Sequence, residues 1–143
     1  MDCLERNMYL IKMFRLGLYG ELDSILASGT YSYDNIKELD TRDGNKALVI
    51  EKDNNEYRLN SLYKPLKEAE KWADQYEFQN LNISVIMFGT GNGLFISEML
   101  KRLKQDAKVY LYEPDISVFL YILNNVDISN IICDARVNLF IKN

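Results

Sequence analysis

Three glycines of this sequence have the spacing of a ligand-binding turn. Gly89, Gly91 and Gly93 follow an apolar run, and an amphipathic helical pattern follows them. In nucleotide-binding α/β units such a turn joins a strand to a helix whose first N–H groups face the ligand. We expect Gly89 to permit the tight turn and Gly91 to admit a ligand to the backbone. Gly93 would let the helix pack close to the strand.

Two acids follow the next apolar run at the distance that such a unit requires. Glu113 lies about 20 residues after the glycine turn, where an acid can bind both ribose hydroxyls of a nucleotide. Asp115 comes two residues later and completes the candidate ligand-binding set, although its position also favours a helix cap. A second interpretation stays open, in which the glycines only form the turn and Glu113 only caps the next helix. The Gly-x-Gly-x-Gly spacing is that of S-adenosylmethionine-dependent methyltransferases and lacks the third-glycine spacing of NAD binders.

No residue pattern predicts catalysis or metal binding. The sequence contains no histidine, and its two cysteines, Cys3 and Cys133, lie far apart. This excludes Ser-His-Asp and Cys-His nucleophile pairs as well as zinc-finger spacings. Asp134 and Arg136 could pair with each other. We interpret the remaining polar candidates as core, rim or unactivated side chains: Ser61, Tyr63, Lys64, Tyr110, Tyr112 and Tyr121. We therefore expect no catalytic residue, no metal ligand and no cofactor that the sequence requires.

Composition limits the class of protein. The chain has 143 residues, is 48% hydrophobic and carries a net charge of −4, so it can bury a core. It has no basic stripe for a nucleic-acid backbone. It also has no run of the ~20 apolar residues that span a bilayer. The amino terminus does not resemble a signal peptide. We expect a cytoplasmic protein that binds neither nucleic acid nor membrane.

The residue periodicity predicts helices, a meander and then a parallel unit. A helix is expected over residues 2–16, interrupted by Gly17 and Gly20, with a shorter helix over residues 21–27 that ends near Gly29. Short β-like runs over residues 36–41, 46–51 and 56–59 are separated by turn sequences, which predicts a small antiparallel meander. Pro65 is expected to begin the next helix.

The rest of the chain predicts a Rossmann-like, methyltransferase-like β-α-β-α-β unit. Its strands are expected over residues 83–88, 108–112 and 137–141, and the first strand is expected to be buried on both faces. This fold class is α/β, a partial parallel sheet preceded by helices and a meander. We divide the chain into residues 1–62 and residues 63–143, together one compact amino-terminal domain of a longer protein.

Several short motifs resemble one known family. Asp43-Gly44-Asn45, the stretch Ser61-Leu-Tyr63-Lys-Pro65-Leu-Lys-Glu68-Ala69, the turn Phe88-Gly-Thr-Gly-Asn-Gly93 and Tyr112-Glu-Pro-Asp115 are similar to motifs of the motility accessory factor (Maf) glycosyltransferases. The resemblance covers residues 43 to the end. It implies transfer of a nonulosonic acid, of the pseudaminic or legionaminic type, from its CMP-activated form to Ser or Thr of flagellin.

The resemblance also implies where catalysis occurs. The family's catalytic domain lies carboxyl-terminal to the matched region, so no catalytic residue can be carried over to this chain. We expect a non-catalytic domain whose partners are flagellin and the remaining domains of the full-length protein. The first alternative is a small methyltransferase-like domain that binds a nucleotide, a CMP-sugar or S-adenosylmethionine through Gly89 to Gly93 and Glu113. The second is a free-standing interaction module that uses the first helix and the meander.

Overall fold

A computed structural model describes residues 1–29, 31–59, 63–80 and 84–142. It shows an α/β fold with an antiparallel three-stranded sheet followed by a parallel three-stranded sheet, as the sequence predicts. The helices are α1 (Cys3–Phe14), α2 (Leu16–Ser28), α3 (Pro65–Asp74), α4 (Leu94–Arg102), α5 (Ile116–Asn125) and α6 (Ser129–Ile132). The strands are β1 (Ile36–Asp40), β2 (Lys46–Lys52), β3 (Asn55–Arg58), β4 (Ser84–Phe88), β5 (Lys108–Glu113) and β6 (Val137–Ile141).

The first two helices differ from the prediction in the place where they break. The predicted interruption at Gly17 and Gly20 is wrong, because both glycines lie inside α2 and the break falls at Arg15, with φ −138° and ψ 56°. The guanidinium of Arg15 donates to the carbonyls of Ile132, Asp134 and Val137, far along the chain. A tertiary contact therefore holds the kink, and glycine's low helix propensity does not decide its position.

The meander follows the predicted turns. β1 pairs antiparallel with β2, and β2 with β3. The second turn has Asp53 and Asn54 at φ 53° and 63°, a left-handed conformation that Asp and Asn tolerate better than most residues. Three residues of the middle strand β2 are buried: Ala47, Leu48 and Val49. The meander therefore packs against the remainder of the molecule through this strand.

The parallel sheet has the order β4-β5-β6, and its two crossovers step in the same direction. Right-handed crossovers that step in one direction place their helices on one face of the sheet. On that face Leu111 and Leu139 enclose a small apolar space together with Phe119 and Ile131. The core of the molecule lies between this face and the helices that cover it.

The prediction that the first parallel strand is buried on both faces is wrong. Ile86 and Phe88 in β4 are 67% and 76% exposed. β4 is an edge strand, and no element of the described ranges covers its second face, because both crossovers lie on the first. An almost continuous apolar run is typical of a strand with two covered faces, but in β4 only one face is covered within the described residues.

Candidate functional site

A cleft of about 730 Å³ lies at the carboxyl ends of β4 and β5. Gly89 and Gly91 form one side of it, and the hairpin of β2 and β3 forms the opposite side. In open α/β sheets ligands bind outside the carboxyl ends of the strands, so this cleft is where the fold places a ligand site. The residues that line it are Ile50, Lys52, Asp53, Tyr57, Leu59, Gly89, Gly91, Glu113, Pro114, Asp115 and Val118.

The glycine turn needs glycine for its backbone conformation. Gly89, Gly91 and Gly93 have φ values of 91°, 51° and 86°, which L side chains rarely adopt. The N–H of Gly89 donates to the carbonyl of Tyr112 at 2.8 Å, which fastens the turn to β5. The side chain of Asn92 accepts from the N–H of Leu94 at 3.2 Å and so helps to begin α4.

Glu113 is buried against this turn. It is 3% exposed, and its Oε1 accepts from the N–H and the hydroxyl of Thr90 at 2.9 and 2.8 Å. Its Oε2 accepts from the N–H of Asp115 at 2.9 Å. Both oxygens thus bind groups of the protein, and they tie the glycine turn to the end of β5. The expected contact of Glu113 with ribose hydroxyls stays a prediction.

Asp115 and Gly93 differ in their relation to the cleft. Asp115 lines it and caps α5, since its Oδ1 accepts from the N–H of Ser117 at 2.9 Å, which confirms the predicted cap. Gly93 lies outside the cleft and lines the small apolar space beneath the turn. A Cβ at Gly93 would meet the side chain of Ile131 at 3.4 Å, which is an ordinary contact distance. The positive φ of Gly93, rather than a lack of space, therefore favours glycine at this position.

The hairpin residues of the cleft were not predicted from the sequence. Lys52 and Tyr57 lie far from the glycine turn in the chain and enter the cleft only because the meander folds back over it. Lys52 makes no ion pair with a carboxylate in the described part of the chain, whereas Lys37 and Lys46 in the same meander pair with Glu51 and Asp40. No local signal distinguishes Lys52 from these lysines.

Two of the motifs that carry the family resemblance are joined by the side chain of Asp43. The carboxylate of Asp43 accepts from the hydroxyl of Thr41 at 2.6 Å, from the N–H of Asn45 at 3.1 Å and from the N–H of Leu66 at 3.2 Å. Asp43 thereby joins the first meander turn to the first turn of α3. Burial alone raises the pKa of Asp43, but the hydrogen bonds from Thr41, Asn45 and Leu66 outweigh it and lower that pKa to about 2.

Further contacts extend this junction to both sides. The guanidinium of Arg42 lies 5.1 Å from the ring centre of Tyr63, and the amide of Asn92 in the glycine turn donates to the carbonyl of Lys46 at 2.9 Å. The structure therefore brings the Asp-Gly-Asn turn, the start of α3 and the glycine turn together. Ser61 lies outside the described residues.

The other polar candidates have structural partners or lie elsewhere. Arg136 pairs with Asp134 at 2.6 Å and also donates to the carbonyls of Leu100 and Leu103. Tyr121 donates to Glu38, and Tyr110 and Tyr112 lie on the sheet face without helices. Cys3 and Cys133 are both free thiols. Within the described ranges, no three His, Cys, Asp or Glu side chains could hold a metal ion together. Among the same residues, no helix has the length and apolar character to cross a bilayer.

Comparison with known proteins shows a similarity of fold to a solved structure. No protein-family model and no curated protein matches the sequence. Among solved structures, the chain is similar to the MAf glycosyltransferase from Magnetospirillum magneticum AMB-1, with a TM-score of 0.62 and 12% sequence identity. The similarity covers 99% of this chain and 27% of that one, so the chain spans about a quarter of the length of that glycosyltransferase. At this identity the similarity establishes the Rossmann-like fold.

Proposed function

We propose that this chain is the amino-terminal, non-catalytic Rossmann-like domain of a motility-associated glycosyltransferase. The complete protein would transfer a nonulosonic acid from its CMP-sugar to Ser or Thr of flagellin. The observation that carries this proposal is the structural similarity to a MAf glycosyltransferase over 99% of the chain. The Asp-Gly-Asn, Tyr-Lys-Pro and Tyr-Glu-Pro-Asp motifs support it independently. Flagellin and the other domains of the longer protein would be its partners.

The bonding of the carboxylates supports a non-catalytic role. A general acid or base must reach a substrate with its proton-carrying atom. Glu113 instead binds Thr90 and the N–H of Asp115, while Asp43 joins two elements and Asp115 caps a helix. Glu113 and Asp115 thus support the cleft and Asp43 joins the meander to α3, and we assign catalysis to another domain.

The test is the mass of flagellin after co-expression in a bacterium that makes a CMP-activated nonulosonic acid. Flagellin would be expressed with the longer protein, with the same protein lacking residues 1–143, and with residues 1–143 alone. We expect the added mass of the sugar with the longer protein and none with residues 1–143 alone, and modification by the protein that lacks residues 1–143 would place the catalytic centre outside this domain. Modification by residues 1–143 alone would contradict the non-catalytic role. Unmodified flagellin in all three cultures would contradict the glycosyltransferase assignment.

A second candidate function is the binding of a nucleotide or of S-adenosylmethionine in the cleft. The observation that favours it is the composition of the two sides. The glycines of the turn would admit a ligand to the backbone, and the opposite hairpin contributes the Tyr57 ring, 52% exposed, and the Lys52 side chain. An aromatic ring suits a base, and an ammonium suits a phosphate or a carboxylate.

Thermal shift measurements test this candidate with CMP, CMP-sugar and S-adenosylmethionine as probes. A ligand at ~100 times its dissociation constant adds about 2.7 kcal/mol to the free energy of unfolding. We expect Lys52→Gln to weaken binding of the phosphate-bearing probes about tenfold. Its matched control, Lys37→Gln, lies in the same meander outside the cleft and should leave affinity unchanged.

Gly91→Val is the corresponding variant on the other side of the cleft. It narrows the approach to the backbone and strains a positive φ, so circular dichroism must first show that it folds. Binding that survives in both Lys52→Gln and Gly91→Val would place the ligand elsewhere. The absence of a shift with every probe would remove this candidate and leave the first proposal standing.

A further inference from the structure

Glu113 occupies the position from which an acid usually binds the ribose of a nucleotide in a fold of this kind. Here its side chain is 3% exposed, and its two oxygens accept three hydrogen bonds from Thr90 and from the N–H of Asp115. A ribose diol needs a carboxylate that it can reach. Glu113 is enclosed by its own protein partners, so a ligand in the cleft does not reach it.

Asp115 offers the cleft a carboxylate that is only partly used. It lines the cleft at the start of α5, and its side chain is partly buried. Its Oδ1 accepts from the N–H of Ser117 at 2.9 Å, whereas its Oδ2 accepts no hydrogen bond from the described residues. Because an ionised carboxylate has several acceptor sites, Asp115 can cap the helix and accept from a ligand at the same time.

The residues before Asp115 hold it in place. The Oε2 of Glu113 accepts from the backbone N–H of Asp115 at 2.9 Å, and the ring of Pro114 between them fixes one backbone angle. The cap bond to Ser117 restrains the carboxylate itself. A side chain that is already held loses little freedom when a ligand binds. Glu113 is therefore a positioning residue for Asp115.

The charges on the two sides of the cleft separate the groups that a ligand can place there. Apart from the enclosed Glu113, the charged residues that line the cleft are Lys52 and Asp53 on the hairpin and Asp115 on the side of the sheet. A phosphate or carboxylate is attracted by an ammonium and repelled by a carboxylate, so it belongs near Lys52. A neutral diol donates hydrogen bonds and suits Asp115.

We infer that Asp115, rather than Glu113, selects a ribonucleoside ligand in the cleft by accepting hydrogen bonds from its ribose hydroxyls. The inference rests on the second candidate function, the binding of a nucleotide or of S-adenosylmethionine. The Tyr57 ring would stack on the base, and Lys52 would bind the anionic group of the ligand. The ribose and the anionic group thus contact opposite sides of the cleft, and their contributions can be measured separately.

The test is the preference of the cleft for a ribonucleoside over its 2′-deoxy counterpart. Calorimetry on residues 1–143 would give dissociation constants for CMP and 2′-deoxy-CMP, and for adenosine and 2′-deoxyadenosine. We expect the ribo form of the pair that binds to bind about tenfold more tightly, because the deoxy form lacks a hydrogen bond to a charged acceptor. The pair that binds distinguishes a cytidine ligand from an adenosyl ligand.

Asp115→Asn is the decisive variant, because Asn is an N-cap of equal quality and the substitution removes only the charge. Its preference for the ribo form should fall to about twofold or less. Two controls should keep the full preference. Asp53→Asn alters the other accessible acid of the cleft at a positive φ that Asn tolerates. Lys52→Gln should weaken CMP and 2′-deoxy-CMP by the same factor.

A full preference in Asp115→Asn would overturn the inference, as would equal binding of the ribo and deoxy forms to the unaltered chain. Loss of the preference in Asp53→Asn instead would assign the diol to the hairpin and would also refute it. In these three cases a ligand still binds, so the second candidate function stands. No binding of any of the four probes would remove both, and the glycosyltransferase proposal, which depends on the mass of flagellin, would remain.

Discussion

Glu113 and Asp115 are carboxylates two residues apart with different structural roles. Asp115 is partly buried and caps a helix through one hydrogen bond. Glu113 is buried and accepts three hydrogen bonds, two of them from backbone N–H groups. Removing Glu113 would leave three donors without their acceptor, two of them on the buried Thr90, which is a larger penalty than the loss of the single bond of the Asp115 cap.

This difference gives a prediction about stability. Glu113→Ala should lower the free energy of unfolding by about 2–4 kcal/mol, because hydrogen bonds to a charged group are lost and buried donors remain. Asp115→Ala should lower it by about 1 kcal/mol, the usual cost of a lost N-cap. Urea denaturation measures both values. Equal effects of the two substitutions would contradict the buried, turn-holding role of Glu113.

Asp43 gives a prediction about acid stability. Burial favours its neutral form, but hydrogen bonds from Thr41, Asn45 and Leu66 lower its pKa from 3.8 to about 2. A carboxyl whose pKa is lower in the folded state contributes stability above its unfolded pKa and loses it as the pH falls through the folded value. Asp43→Ala should therefore lower the melting temperature at pH 7, and the difference from the unaltered chain should disappear between about pH 4 and pH 2.

Melting temperatures of both proteins across this pH range measure the effect. Asp40→Ala is the control, because Asp40 lies in the same meander and, among the described residues, its exposed carboxylate forms an ion pair with Lys46 alone. A difference between Asp43→Ala and the unaltered chain that persists at pH 2 would show that packing of the side chain, rather than its charge, stabilises the junction.

Helix α1 is held on the parallel unit by polar groups as well as by apolar contacts. Asn7 is fully buried, and its amide donates to the carbonyls of Leu123 and Val126 at 3.0 and 2.7 Å. Those carbonyls belong to the end of α5, where the last turn of a helix lacks partners of its own. Asn7 thus acts as a C-terminal cap supplied by a different helix.

We predict that the Asn7 cap contributes more to the free energy of unfolding than any exposed side chain of α1. Asn7→Leu should lower the free energy of unfolding by about 2–4 kcal/mol, because the two carbonyls would stay buried without donors. Tyr9→Leu on the exposed side of the same helix should change it by no more than about 0.5 kcal/mol. Chemical denaturation measures both, with circular dichroism as a check that the variants fold. A neutral Asn7→Leu would contradict the capping role.

The meander and the parallel unit are joined through Tyr121 and Glu38. The hydroxyl of Tyr121 in α5 donates to the carboxylate of Glu38 in β1, and the ring of Tyr33 meets that of Tyr121 edge to face at 5.8 Å. The amide of Asn92 adds a second link, to the carbonyl of Lys46. These contacts hold the β2–β3 hairpin opposite the glycine turn, so the cleft depends on them.

The hydrogen bond between Tyr121 and Glu38 leads us to predict a loss of stability at high pH. Burial and the carboxylate of Glu38 raise the pKa of Tyr121 above its usual 10.0. A group with a raised pKa contributes its full stability below its unfolded pKa, and that contribution declines as the pH rises above about 10. Tyr121→Phe should lower the free energy of unfolding by about 1–2 kcal/mol at pH 8 and less at pH 11.

Urea denaturation at the two pH values measures this effect. Tyr57→Phe is the matched control, since the Tyr57 ring is exposed. Removal of its hydroxyl should leave the free energy of unfolding unchanged at both pH values. A loss in Tyr121→Phe that is equal at pH 8 and pH 11 would contradict the coupling to Glu38.

The order and type of the elements follow from local patterns in the sequence. Pro65 begins α3, Gly29 ends α2 in a left-handed conformation, and Asp53 and Asn54 form the tight turn of a hairpin. Asp115 caps α5, as its position predicts. Each of these features depends on the backbone preferences of one or two residues, so neighbouring residues are enough to predict it. The same holds for the positive φ values of the glycine turn.

Burial and partnership depend on contacts between residues distant in the chain, and only the folded chain decides them. The kink at Arg15 depends on carbonyls more than a hundred residues away, and the exposed face of β4 depends on the direction in which two crossovers step. The partners of Glu113 and the entry of Lys52 into the cleft likewise come from tertiary packing. An apolar run indicates that a strand can be buried, whereas the topology of the sheet determines which face of the strand is covered.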